Sequence, residues 1–84
     1  MGKEQQIQAK KIKELESKGY YVLKIIKSNK NGIPDLLAIP KGSDVEFYEI
    51  KAPGGRLSKL QEYRLKELTE HGVKADVYSG EKSK

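Results

Sequence analysis

Residues 34–51 read PDLLAIPKGSDVEFYEIK, two short apolar runs separated by a turn. Pro34 leads into the first run, Asp35 to Ile39, which reads as a strand; a strand's first position tolerates the missing N–H of proline. Pro40-Lys41-Gly42-Ser43-Asp44 carries turn residues that reverse the chain. Val45 to Lys51 then reads as the returning strand. A hairpin centred between Lys41 and Gly42 pairs Asp35 with Tyr48, and one centred on Gly42 pairs it with Glu49. Either register leaves the Asp35 and Glu49 carboxylates able to converge on one cation. Side chains alternate along a strand, so Val45, Phe47, Glu49 and Lys51 share a face, with Glu49 and Lys51 about 7 Å apart at roughly 3.3 Å per residue. Val45 and Phe47 suggest that this face turns toward the core, which places Glu49 at its margin. An unpaired carboxylate there is costly, and a metal is one way to compensate it. Each piece alone has an ordinary explanation: Asp35 as a turn residue after Pro34, Glu49 and Lys51 as a strand-end ion pair.

Outward from this hairpin, periodicity gives the remaining elements. Lys3 to Lys18 reads as a helix with a narrow stripe of Ile7, Ile12 and Leu15, and Gly19 ends it. Tyr20 to Ile26 is β-branched and aromatic and reads as a strand. Ser28 to Gly32 is a loop, with Asn31-Gly32 its strongest turn signal. After the loop Ala52 to Arg56, Ser58 is a helix N-cap, and the helix runs to about His71 with Gly72 as its stop. Val73 to Tyr78 reads as a last strand, and residues 79–84 as a flexible polar tail. The expected order is αβββαβ in one domain over residues 1–84: three strands in an antiparallel meander, then a crossover that sets the fourth parallel to the third. The fold class is α/β, a mixed four-stranded sheet flanked by helices.

Composition narrows the chemistry. The 84 residues include no cysteine and one histidine, which excludes disulfides and thiolate metal sites. Carboxylates favour a hard ion such as magnesium or manganese. No apolar run approaches the roughly 20 residues needed to span a bilayer, and no signal-peptide pattern opens the chain, so a soluble intracellular protein without a membrane partner is expected. Gly54-Gly55 lacks the Gly-Lys-Ser/Thr ending of a phosphate loop, which argues against a nucleotide cofactor. Seventeen Lys and Arg against twelve Asp and Glu give a net charge of +5, compatible with plain solubility or with a nucleic-acid partner.

Gln61 falls among Leu57, Leu65 and Leu68 on the inward stripe of the second helix, where a buried amide demands partners. Ser58-Lys59-Leu60-Gln61 also matches a capping box, a local role for the same side chain. Either role puts Gln61 near the loop after Lys51. Glu4 lies near the angular position of Leu15 and could point partly inward, as could any charge on an amphipathic helix. His71 at a helix C-terminus has no chemistry assigned to it.

Taken together, Gly32-Ile33-Pro34-Asp35-Leu36-Leu37, the run from Glu49 through Ser58 (EIKAPGGRLS), and Gln61 resemble the virus-type replication-repair nuclease (VRR-NUC) family of the PD-(D/E)xK nuclease superfamily. Glu4 with Ile7 on the first helix and Gly72 before the last strand extend the resemblance over nearly the whole chain. The resemblance implies a minimal nuclease core in the order read above and magnesium- or manganese-dependent cleavage of DNA. Asp35 and Glu49 would be metal ligands with the Ile50 carbonyl, and Lys51 would serve the attacking water and the phosphate. Gln61 would position Lys51 or the scissile strand, and Glu4 would support the site. Minimal members of the family resemble junction-resolving enzymes, which implies a homodimeric Holliday-junction resolvase acting on branched DNA. A nuclease for flaps, nicked or single-stranded DNA, or a non-catalytic basic nucleic-acid-binding module, are the alternatives. The expected DNA contacts are the lysines of the first helix, Lys27 and Lys30 in the loop, and Arg56 and Lys59 beyond the third strand; they would track phosphates without reading bases.

Overall fold

The structure, a computed structural model, describes residues 2–42 and 44–80. Its elements are α1 (Lys3–Ser17), β1 (Tyr21–Lys24), β2 (Leu36–Ile39), β3 (Glu46–Ile50), α2 (Lys59–Glu70) and β4 (Lys74–Tyr78). This is the αβββαβ order expected, with ends trimmed by one or two residues where side-chain propensity outlasts main-chain pairing. Gly19, at φ +91, provides the left-handed turn out of α1 into β1. Ser58 caps α2 by accepting from the Gln61 N–H at 3.1 Å, while Gln61 Oε1 accepts from the Ser58 N–H at 2.9 Å. That reciprocal pair is the capping box.

The sheet runs β1-β2-β3-β4, antiparallel except for the parallel β3–β4 pair that α2 connects. Leu36 pairs with Tyr48, which is the register centred on Gly42. Gly42 sits at φ +64, so the turn uses a conformation that an L side chain rarely adopts. Continued by one residue, this register sets Asp35 opposite Glu49.

The core corrects one expectation. Its buried cluster is Ile7, Leu15, Leu36, Ala38, Tyr48 and Ile50, with Ile12, Tyr20, Val22 and Tyr78 packed against it. These strand residues lie on the face beneath α1, opposite Phe47 and Glu49. The third strand carries apolar groups on both faces, and α1 decides between them. By contrast α2 packs chiefly on β4 and contributes no fully buried residue. The second sheet face is therefore only half covered, leaving Tyr21 65% and Leu23 43% exposed.

A second correction concerns Lys11, one of the first-helix lysines expected at DNA. It is 8% exposed, with its Nζ 4.8 Å from the Tyr48 ring centroid and 4.4 Å from that of Tyr78. Glu14 Oε1 accepts from the same ammonium at 3.5 Å. A desolvated cation against an aromatic ring is worth about 2 kcal/mol or more, so Lys11 packs as part of the core. Of the tail expected from 79 to 84, residues 81–84 lie outside the described residues. Gly80 packs against α1, where an added Cβ would stand 3.2 Å from Ile7 Cγ2.

Candidate active site

Asp35 is held from both sides at the point where the β2 ladder begins. Pro34 before it is fully buried, which fixes the approach of the chain. The Asp35 main-chain oxygen accepts from the Ile25 N–H at 2.8 Å, just past the end of β1. Its side-chain Oδ2 accepts from the Ile50 N–H at 2.8 Å. The carboxylate thus takes a main-chain donor of β3 and is pinned beside the end of that strand.

Glu49, next to Ile50 on β3, is only 3% exposed. Gln61 Nε2 donates to its Oε2 at 3.1 Å, so the amide oxygen closes the expected capping box while the nitrogen finds its partner in Glu49 rather than in Lys51. Burial, then the charge and hydrogen bonding of Asp35, push the Glu49 carboxyl up to about 8; Glu4 adds to the rise and Lys51 opposes it. Four of the expected site residues, Asp35, Glu4, Gln61 and Lys51, therefore act on Glu49 directly. Glu4 reaches this end of the sheet from the first turn of α1, where its Oε2 accepts from the Ala52 N–H at 3.4 Å. Lys51 is half-buried, and its N–H donates to the Tyr78 oxygen at 3.0 Å, which holds the chain after β3 against β4.

Two close carboxylates, one of them buried, and no thiolate or imidazole make an all-oxygen donor set. Among the described residues no three of His, Asp and Glu gather closely enough to enclose an ion by themselves. Any cation here would rest on two carboxylates, main-chain oxygen and water, a composition that suits magnesium or manganese rather than zinc.

Of the expected DNA contacts, Lys27 and Lys30 line a cleft of about 320 Å³ whose wall includes Asp35. Arg56, in the loop after β3, and Lys59, at the start of α2, are exposed and do not line that cleft. Sequence reasoning missed the brace beneath it. Arg64 Nε donates to the Asn31 oxygen at 2.9 Å while Nη1 reaches Glu67 at 3.0 Å. At Gly32, φ +79, an added Cβ would stand 2.7 Å from Leu60 Cγ, so the loop lies flat on α2. The available signal was the place of Arg64 three residues after Gln61, on the inward side of α2.

Because Gln61 joins a helix cap to Glu49, two substitutions should separate its roles. Gln61→Ala is expected to lose about 1 kcal/mol from the capping box. Gln61→Glu keeps a capping-box side chain but sets a further carboxylate against Glu49. Urea denaturation should find Gln61→Glu less stable than Gln61→Ala at pH 8, with the order reversed at pH 5, where protonation relieves the repulsion.

Among the described residues no helix is long and apolar enough to cross a membrane. The family model described as the VRR-NUC domain matches residues 2–82. The chain belongs to that family, which indicates a nuclease-type function. A search of curated proteins returned no match.

Proposed function

We propose that this VRR-NUC protein is a magnesium- or manganese-dependent endonuclease that hydrolyses DNA phosphodiester bonds, selects branched structures and works as a homodimeric Holliday-junction resolvase. The closeness of Asp35, pinned to the Ile50 N–H, to a buried Glu49 whose carboxyl it helps push up to about 8 carries the reading. A protein that only bound DNA would gain nothing from burying carboxylates beside a phosphate path. Asp35, Glu49 and the Ile50 carbonyl would hold the ion, leaving other positions to water and substrate. When bound, such an ion lowers the pKa of water and neutralises charge at phosphorus.

The side chains supply the rest. The Lys51 ammonium orients the attacking water and stands against a phosphoryl oxygen, where preorganised charge favours the transition state. Gln61 fixes the rotamer of Glu49, and Glu4 anchors the segment after Lys51. Lys27 and Lys30 draw one DNA strand along the cleft toward Asp35, while Arg56 and Lys59 meet phosphates on the other side.

Cutting a four-way junction symmetrically requires two sites, and a two-fold dimer provides them. The half-covered face that carries the exposed Tyr21 and Leu23 is where a second copy would pack, and a stable dimer would bury about 800 Å² per partner. Cleavage of a four-way junction, a flap, a nicked duplex and an intact duplex, run beside a sizing experiment, tests the reading. Paired, symmetric incisions in the junction by a dimer are expected. A monomer that cuts flaps or nicked duplex in preference would replace the resolvase with the alternative nuclease.

A further inference from the structure

Ile26 stands out on the β1–β2 loop at 84% exposed. A lone apolar side chain on a surface is ordinary, but its position is not. Ile26 lines two clefts at once. One, of about 320 Å³, is shared with Lys27, Lys30 and Asp35. The other, of about 560 Å³, lies between α1 and β1 with Gln5, Gln8 and Lys24 in its wall. The isoleucine is thus the ridge between them, with lysine on each side and the candidate metal ligand on one.

The ridge is held in place. The Ile25 N–H, one residue before it, is bonded to the main chain of Asp35 itself. Beyond it, Ser28 Oγ donates to the Lys30 oxygen at 2.7 Å and accepts from the Lys30 N–H at 3.0 Å. Arg64 then fixes Asn31 to α2. A braced apolar point between a cleft lined by Lys27 and Lys30 and a second whose wall carries Lys24 among Gln5, Gln8 and Ile12 has the form of a strand-separating wedge, since apolar side chains that enter a base step unstack it and kink the duplex.

We propose that Ile26 is a positioning residue that inserts at the point where two DNA strands diverge, sending one into the cleft of Asp35 and the other along α1. The proposal rests on the nuclease reading and deepens it, because it names what makes a branch point a substrate. An intact duplex must be unstacked to pass the ridge; a junction already offers the gap.

The test uses a four-way junction carrying 2-aminopurine at the branch point, and the same junction with unpaired bases built in there. With calcium in place of magnesium to retain the bound DNA, the wild-type protein should raise the fluorescence. Ile26→Ala should lose most of that rise while binding duplex as before, and Ile26→Leu should restore it. In magnesium, Ile26→Ala should cut the fully paired junction about tenfold more slowly, the equivalent of part of one unstacking step. It should cut the pre-opened junction as fast as the wild type. An equal loss on both junctions, or an unchanged fluorescence rise in Ile26→Ala, overturns the wedge while cleavage by the wild type leaves the nuclease reading standing. Absence of cleavage by the wild type itself overturns both.

Discussion

Glu49→Gln is expected to be inactive on every DNA substrate and yet, without metal, more stable than the parent protein at pH 8.5. The amide can still accept from Gln61, so the hydrogen bond to α2 is kept. What disappears is a charge that burial and Asp35 both oppose. In the unfolded chain Glu49 titrates near 4.5, and in the folded protein near 8. Below about pH 4.5 both states hold the proton and the penalty is absent. Between those values the unfolded state releases the proton first, so stability falls as pH rises, and above about 8 the full penalty is present. The parent's melting temperature should therefore decline across that window, while the decline in Glu49→Gln is much smaller. Each kcal/mol corresponds to roughly 4–8 °C in a domain of this size. Magnesium should raise the parent's melting temperature most at high pH, where the carboxylate is free to bind it, and leave the variant unmoved. The cleavage rate should drop about 10³-fold or more, the scale of losing charge stabilisation at a phosphoryl transition state.

Lys51→Met separates binding from chemistry in the opposite way. Methionine keeps much of the half-buried aliphatic volume and removes the ammonium. A positioned proton-transfer or charge-stabilising group contributes about 10²–10⁴-fold, and cleavage should fall by that amount. The magnesium-dependent rise in melting temperature should persist, because neither carboxylate is altered. Lys51 lowers the Glu49 pKa, so its removal should move the pH-dependent loss of stability to higher pH. A variant that instead lost both cleavage and the magnesium response would place Lys51 among the groups that hold the ion together.

Much of this arrangement could be read from residue order because its signals are local. Gly19, Ser58 and Gly72 punctuate helices whose apolar spacing is helical, and the two candidate hairpin registers differ only in where the turn is centred. The structure selects the one centred on Gly42. Gln61 was legible twice, as a cap and as an inward amide, and it performs both contacts. The core face was misjudged because β3 alternates Phe47 with Tyr48 and Ile50, so period two alone cannot say which side is covered. That depends on α1, a partner distant in the chain. Lys11 occupies the stripe of Ile7 and Leu15 at helical spacing, but a lysine there reads as solvated until Tyr48 and Tyr78 are brought beneath it. The Arg64–Asn31 brace and the ridge at Ile26 are likewise products of tertiary contact between segments far apart in the sequence.

Asp35, Glu49 and Lys51 are proposed to form a metal-dependent phosphodiesterase site. Labelled four-way junction and duplex DNA, incubated with the purified protein in magnesium, in manganese and in excess chelator, test it most directly. Strand cleavage with either metal, abolished by chelator, is the predicted result. Cleavage that persists undiminished in chelator, or no cleavage of any substrate with either metal, would contradict it.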